Sequence, residues 1–205
     1  VMHAPAGESI LAELTNRRSI RASLHADELV RSQESAGINI GYGPEQTAAP
    51  GESRVYRYYA DTRDIGSAQL SDYGDVDSGR DGLYGAIVVA DKGAKFYDSR
   101  SGAPTSVGSQ VDVHLPSGDA YRDFTLNLAD DDPVIGGSNM PYPSAVTGPA
   151  LVNHRSARRP DSPTQFSSAV RGDPATPLLR AHAGDKVRVH ALGAPGNEQV
   201  HVLSM

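Results

Sequence analysis

Cysteine is absent from this chain of 205 residues, and so is tryptophan. The first absence excludes disulfides, thiolate metal sites and cysteine nucleophiles within the chain, and it leaves the redox compartment undecided. Phenylalanine occurs only three times and hydrophobic residues make up 38%, so the core is modest. No apolar run reaches the length of a bilayer-spanning helix. Excess positive charge is also missing. The formal net charge of −6 argues against nucleic acid or an anionic membrane as partner. Asp98, Ser106 and His114 have no triad spacing, which sets aside a hydrolase of that kind.

Turn formers are plentiful. With 21 glycines and 14 prolines the chain predicts many turns and little long helix. Residues 8–16 alternate and reach Asn16-Arg17-Arg18, which reads as a hairpin with 19–25 as the return strand. Only residues 8–16 and 26–34 could be mistaken for helix. Ala49-Pro50-Gly51-Glu52 reads as a turn feeding the strand Arg54–Tyr59. Residues 66–75 are ambiguous, and 82–89 form the most apolar stretch, a buried strand. Gly82 and Gly85 there suit a tight turn or close strand approach. Residues 98–118 read as a linker, followed by a strand at Tyr121–Leu128 and long loops at 136–149 and 155–175. Short strands spaced by turn signals predict an all-β sandwich or barrel.

An internal repeat lies under this pattern. Ala6-Gly7-Glu8 opens an alternating strand, and so does Ala183-Gly184-Asp185. A later strand carries His25, 18 residues after Gly7, and His201, 17 residues after Gly184. The repeat suggests two related β-domains, the second stopping soon after its histidine. The expected division is 1–98 and 99–205, as part of a longer protein. Stopping at Met205 would leave strand neighbours unpaired, so the remainder of the same polypeptide, or a second chain, is the expected partner. A homo-oligomer is a further option.

The order of these motifs resembles the cupredoxin domains of multicopper oxidases. Residues 4–96 look like one such domain, and 119–205 look like most of the next, with Asp173–Asp185 the clearest stretch. Asp72–Val76 and Gly82–Gly85 resemble the large bacterial copper oxidases in particular. The resemblance implies tandem Greek-key cupredoxin-like sandwiches, the second incomplete. It also implies copper in the complete protein and a location outside the cell or in its envelope. In that family a type 1 copper is held by two His, one Cys and often Met, and paired His-X-His motifs hold a trinuclear cluster. Imidazole and thiolate suit redox copper.

Here the chain departs from the family. Ser67–Asp72, where His-Cys-His is expected, holds neither residue type, and the early pair reads Ser23-Leu24-His25. At the end, His201 falls where a type 1 histidine would lie and Ser204 replaces a cluster ligand. His201 and His25 are therefore the candidate metal ligands. The plainer reading of His25 is a hydrogen-bonded strand or interface residue. His3, His114, His154, His182 and His190 read as surface or interface residues. Asp130-Asp131-Asp132 could bind a hard cation or be a solvated turn. Arg155, Arg158 and Arg159 could meet an anion or simply face water. Tyr56, Tyr58, Tyr59, Tyr73 and Tyr84 read as a mix of core and sandwich-edge positions. Two functions follow: a mainly scaffolding segment of a copper-dependent oxidase, coupling one-electron substrate oxidation to dioxygen reduction, or a copper-free cupredoxin module with a structural or binding role. Activity is not expected of the segment alone.

Overall fold

The computed structural model describes residues 1–75, 83–130, 150–152, 155–156 and 179–193. Strands dominate, and the only helical pieces among the described residues are single 3-10 turns at Gln33–Ser35 and Thr62–Asp64. No described helix is long and apolar enough to cross a membrane.

The first sandwich is made by two small sheets. Strands β1 (Met2–Pro5), β7 (Gly85–Ala90), β6 (Gly66–Ser71) and β3 (His25–Ala26) form one, in that spatial order. Strands β2 (Ser9–Thr15), β5 (Ser53–Tyr59) and β4 (Val30–Arg31) form the other. Period-two alternation decides which side chains go inward. On β5 that puts Tyr56 and Tyr58 inside, and on β2 it puts Ala12 inside. They meet Ala4, Ala26, Ala68, Leu70, Ile87 and Val89 from the opposite sheet. Small alanines on most strands leave room for the two tyrosines, which fill the centre and need hydrogen-bond partners there. Tyr56 Oη donates to the Gln46 carbonyl at 2.7 Å, and Tyr58 Oη to the Leu24 carbonyl at 2.8 Å. Of the other tyrosines, Tyr84 is buried, while Tyr59 and Tyr73 are exposed.

Two sequence expectations are corrected. Strand β2 does not form a hairpin with 19–25. It pairs with β5, from Ser9 opposite Tyr59 to Thr15 opposite Ser53. The cause is Asn16, whose amide donates to the Ile20 and Ala48 carbonyls at 2.8 and 2.9 Å while its Oδ1 accepts from the Arg18 amide. These bonds turn the chain across to the other sheet, where His25 pairs opposite Ser71 of β6. The expected linker at 98–118 is the second correction. Strand β8 (Lys95–Asp98) pairs antiparallel with β9 (Gln110–His114), so sheet hydrogen bonding runs straight through it. The alternation Val111, Val113 supplies the buried face that the Ser/Gly/Pro content of the neighbouring residues masks.

The predicted turn at Ala49–Glu52 is present, with Gly51 at φ 80° and the Glu52 amide on the Ala49 carbonyl at 3.0 Å. Proline second and left-handed glycine third suit a type II turn. The buried strand at 82–89 is found as β7. Its Ile87 and Val89 face the first core, while Ala90 enters a second one. That second core holds Ala94, Phe96, Val111, Val113 and Tyr121. A strand covered on both faces reads as continuous apolar sequence, which explains the stretch. Gly85 takes no left-handed angle, and a Cβ there would meet Leu70 at an ordinary 3.8 Å, so close approach is not its role. Gly82 lies outside the described residues.

The second sheet carries β8, β9, β10 (Ala120–Asp130), β11 (Ala150–Val152) and β12 (Arg155–Ser156), with β13 (Val187–Gly193) parallel to β10. Both copies of the repeat open alike. Gly7 and Gly184 sit at φ 93° and 97°, and strands β2 and β13 begin just after them.

Candidate functional site

The fold brings together the two places where ligands were sought. Strand β3 and the segment before it, 21–25, lie against the end of β6 and the residues after it. The side chain of Asp72 is fully buried there. Its Oδ1 accepts from the Ser23 amide at 2.6 Å, the Ser23 hydroxyl at 3.1 Å and the Gly74 amide at 2.7 Å. Its Oδ2 faces the Arg18 guanidinium at 3.5 Å. The Ser23 hydroxyl in turn accepts from the Tyr73 amide at 3.0 Å. A buried carboxylate is tolerated only with such compensation.

His25 is also fully engaged. Nδ1 donates to the Ala36 carbonyl at 2.6 Å. Nε2 lies 3.1 Å from Asp27 Oδ1 and 3.3 Å from an Arg31 nitrogen, and the ring meets Tyr73 edge-on. Arg31 fixes the bend between β3 and β4 through the Ala26 and Leu29 carbonyls, both at 2.8 Å.

The whole segment is gripped from its flanks. Ala22 exchanges backbone bonds with Ala48 at 3.1 and 2.7 Å. Arg21 reaches Thr47 at 2.6 Å and Glu45 at 3.1 Å. Two glycines complete the fit. A Cβ on Gly74 would sit 2.7 Å from Ala22 Cα, and one on Gly37, at φ 70°, would strike the Leu24 carbonyl. Gly37 was not marked in the sequence and Gly74 only as part of the Asp72–Val76 resemblance, because the need for both arises from chain segments distant in sequence.

Tested against this geometry, copper does not fit. Both imidazole nitrogens of His25 are committed, and the neighbouring donors are hard oxygens locked in hydrogen bonds. Among the described residues no three His, Cys, Asp or Glu side chains are placed to hold a metal ion. His25 has the partners of its plainer reading, a hydrogen-bonded strand residue. His201 lies outside the described residues, as do Ser204, His154, Asp131, Asp132, Arg158 and Arg159.

The remaining histidines divide. His114 and His182 are exposed, whereas His3 and His190 are buried where the first sandwich meets the second sheet. On that sheet's outer side Arg122 pairs with Asp185 at 2.7 Å and Lys186 with Asp119 at 2.9 Å. These two pairs tie the start of β13 to β10. Arg122, Asp185 and Lys186 line a cavity of about 160 Å³ together with Asp112, His114 and Tyr121.

Two small sheets closing on a tyrosine-filled core, followed by a second curled sheet, define a cupredoxin-like β-sandwich protein. Solved structures that it resembles in fold include multicopper oxidases. One titled multicopper oxidase mgLAC is 17% identical, with a TM-score of 0.57, covering 96% of this chain and 51% of its own. The blue copper oxidase from Nitrosomonas europaea is 17% identical with a TM-score of 0.55, covering 94% and 50% respectively. The likeness is one of fold, and this chain spans about half the length of both structures. No family model and no curated protein matches the sequence.

Proposed function

We propose that this chain is the scaffolding portion of a copper-dependent oxidase. In this reading the complete protein couples one-electron oxidation of a substrate to dioxygen reduction, and copper is held outside the first sandwich. The observation that carries the reading is the pairing of two facts. The cupredoxin fold extends over nearly the whole chain. Yet the segment 21–25 is locked to Asp72 by hydrogen bonds, which leaves nothing free to coordinate. A site that lost its metal must satisfy its buried polar groups another way, and Ser23 with Asp72 does so.

The reading carries several companions. The two cupredoxin-like units divide ahead of β8, which pairs with β9 of the second unit. The remainder of the same polypeptide, or a second chain, completes the second unit and brings the coppers. The protein works outside the cell or in its envelope, and self-association is compatible with it.

A copper-free cupredoxin module is the competing reading, favoured by the engaged state of His25 and the absence of cysteine. Metal analysis and dioxygen consumption of the full-length protein separate the two. Several coppers per molecule with substrate-dependent oxygen uptake support the oxidase. A metal-free protein after copper reconstitution leaves the module.

A further inference from the structure

A second group of titratable side chains is buried at the junction of the two halves, and nothing in the proposed oxidase scaffold uses it. His3 of β1 is 5% exposed, Asp123 of β10 is 1% and His190 of β13 is 8%. Alternation along β1 turns Ala4 into the first core and His3 the other way, onto the Phe96 ring at 5.4 Å. Three bonds fasten this end of β1 to the loop before β9. The His3 amide donates to the Ser106 carbonyl at 2.8 Å, the Gly108 amide to the Val1 carbonyl at 3.0 Å, and His3 Nε2 to the Gly108 carbonyl at 2.9 Å. Across the junction His190 Nε2 lies 3.1 Å from Asp123 Oδ2.

Two atoms of this cluster have no hydrogen-bond partner among the described residues, His3 Nδ1 and Asp123 Oδ1. Buried polar atoms are nearly always paired, so two orphans in one buried cluster mark a place where one more proton changes the balance. The charges acting on His3 are Asp123, His190 and the Val1 amine. Tyr121, further along the face of β10, feels the Asp123 charge and carries Arg188 over its ring at 4.3 Å. Asp123 is the anion that acts most strongly on His3, and it already faces His190. A single buried carboxylate can balance one imidazolium, not two.

We propose that His3, Asp123 and His190 form a pH-sensitive latch between the amino-terminal strand and the second sheet. It is closed while His3 is neutral and opens when His3 takes up a proton, because Asp123 already faces His190. Burial holds His3 below its ordinary value, with the Gly108 carbonyl and Asp123 opposing and the Val1 amine and His190 reinforcing. A histidine whose value falls on folding favours the folded state above about pH 6.5, and that contribution drains away below it. The latch therefore loosens as the medium acidifies from about 6.5 downward.

The test is hydrogen exchange of the His3 and Gly108 amides in the full chain, followed from neutral to about pH 5 and corrected for intrinsic exchange. The expected result is a loss of protection approaching tenfold per pH unit, the limit for one proton taken up on opening. Amides of the β2–β5 pairing should keep theirs. His3→Gln retains an amide donor for Gly108 and cannot titrate, so its protection should stay flat. Unchanged wild-type protection overturns the latch, and so does an undiminished pH slope in His3→Gln. If that variant does not fold, NMR titration of the two imidazoles in the wild type decides. Loss of protection that tracks the His3 ring supports the proposal, and loss that does not track it overturns it.

Discussion

The segment around Ser23 and the junction around His3 use the same chemistry and end in opposite states. Each places a buried aspartate beside a histidine or a serine. At the first, Asp72 accepts three hydrogen bonds on one oxygen and faces Arg18 with the other. At the second, Asp123 meets His190 through one oxygen and nothing through the other. The difference lies in what surrounds the carboxylate. Asp72 sits at a strand end, where freed backbone amides of Ser23 and Gly74 converge on it. Asp123 sits inside a strand, where the backbone amides already serve the pairings with β9 and β13. A polar group at a strand end is readily satisfied and becomes rigid. One in mid-sheet depends on other side chains and stays responsive to protons.

The comparison is broken most forcefully at the glycines. Gly37→Ala puts a Cβ on the Leu24 carbonyl in a left-handed conformation, and Gly74→Ala puts one 2.7 Å from Ala22 Cα. Both should cost about 3 kcal/mol or more, read as a fall in the unfolding midpoint. If either melts with the wild type, the segment is not gripped as described.

Next comes the carboxylate itself. Asp72→Ala removes the acceptor for two buried amides and a hydroxyl and should cost about 2–4 kcal/mol in chemical denaturation. Asp72→Asn keeps one accepting oxygen and should lose clearly less. Equal losses in the two variants would mean that charge, not acceptance, holds the segment.

A smaller effect is expected at Tyr58→Phe, which keeps the ring in the core and drops the bond to the Leu24 carbonyl. It should cost about 1 kcal/mol. Two-state unfolding followed by circular dichroism suits a chain without tryptophan.

The smallest effect belongs to Glu45, which touches this segment from outside through Arg21 and Thr47. The Thr47 hydroxyl, with Asn39 and the Thr47 amide behind it, holds its carboxyl down to about 2. A lowered carboxyl contributes stability above its ordinary value near 4.5 and loses it as pH falls toward 2. Because the side chain is half exposed, solvent screening keeps the contribution slight. Glu45→Gln should flatten that part of the acid-unfolding curve without moving the neutral midpoint measurably.

Part of this protein was legible in its residues. The turn at Ala49–Glu52 and the strand at Arg54–Tyr59 were both legible, and the repeat picked out Gly7 and Gly184, which share left-handed angles. The all-β class follows from such local signals, since period and turn chemistry act over a few residues. The two segments that the resemblance singled out, Ser23-Leu24-His25 and the end of β6, do meet in the fold. Strand partners were not legible. Asn16 redirects the chain through two carbonyls, one of them 32 residues away, and no local pattern encodes that. The hairpin across 95–114 was hidden for a related reason. Glycine, serine and proline around the turn outweighed a short alternating run whose apolar face is visible only once a second core exists.

What the sequence determined by itself, then, is which residues alternate, where the chain turns, and that no thiolate is available. Whether a histidine binds, braces or senses was decided only in three dimensions. His25 and His190 are alike as letters in a strand. One found a carbonyl, a carboxylate and a guanidinium within reach, while the other shares a single carboxylate with His3 across a junction. Burial and partner count decide what each imidazole can do, and both are properties of packed neighbours far apart along the chain.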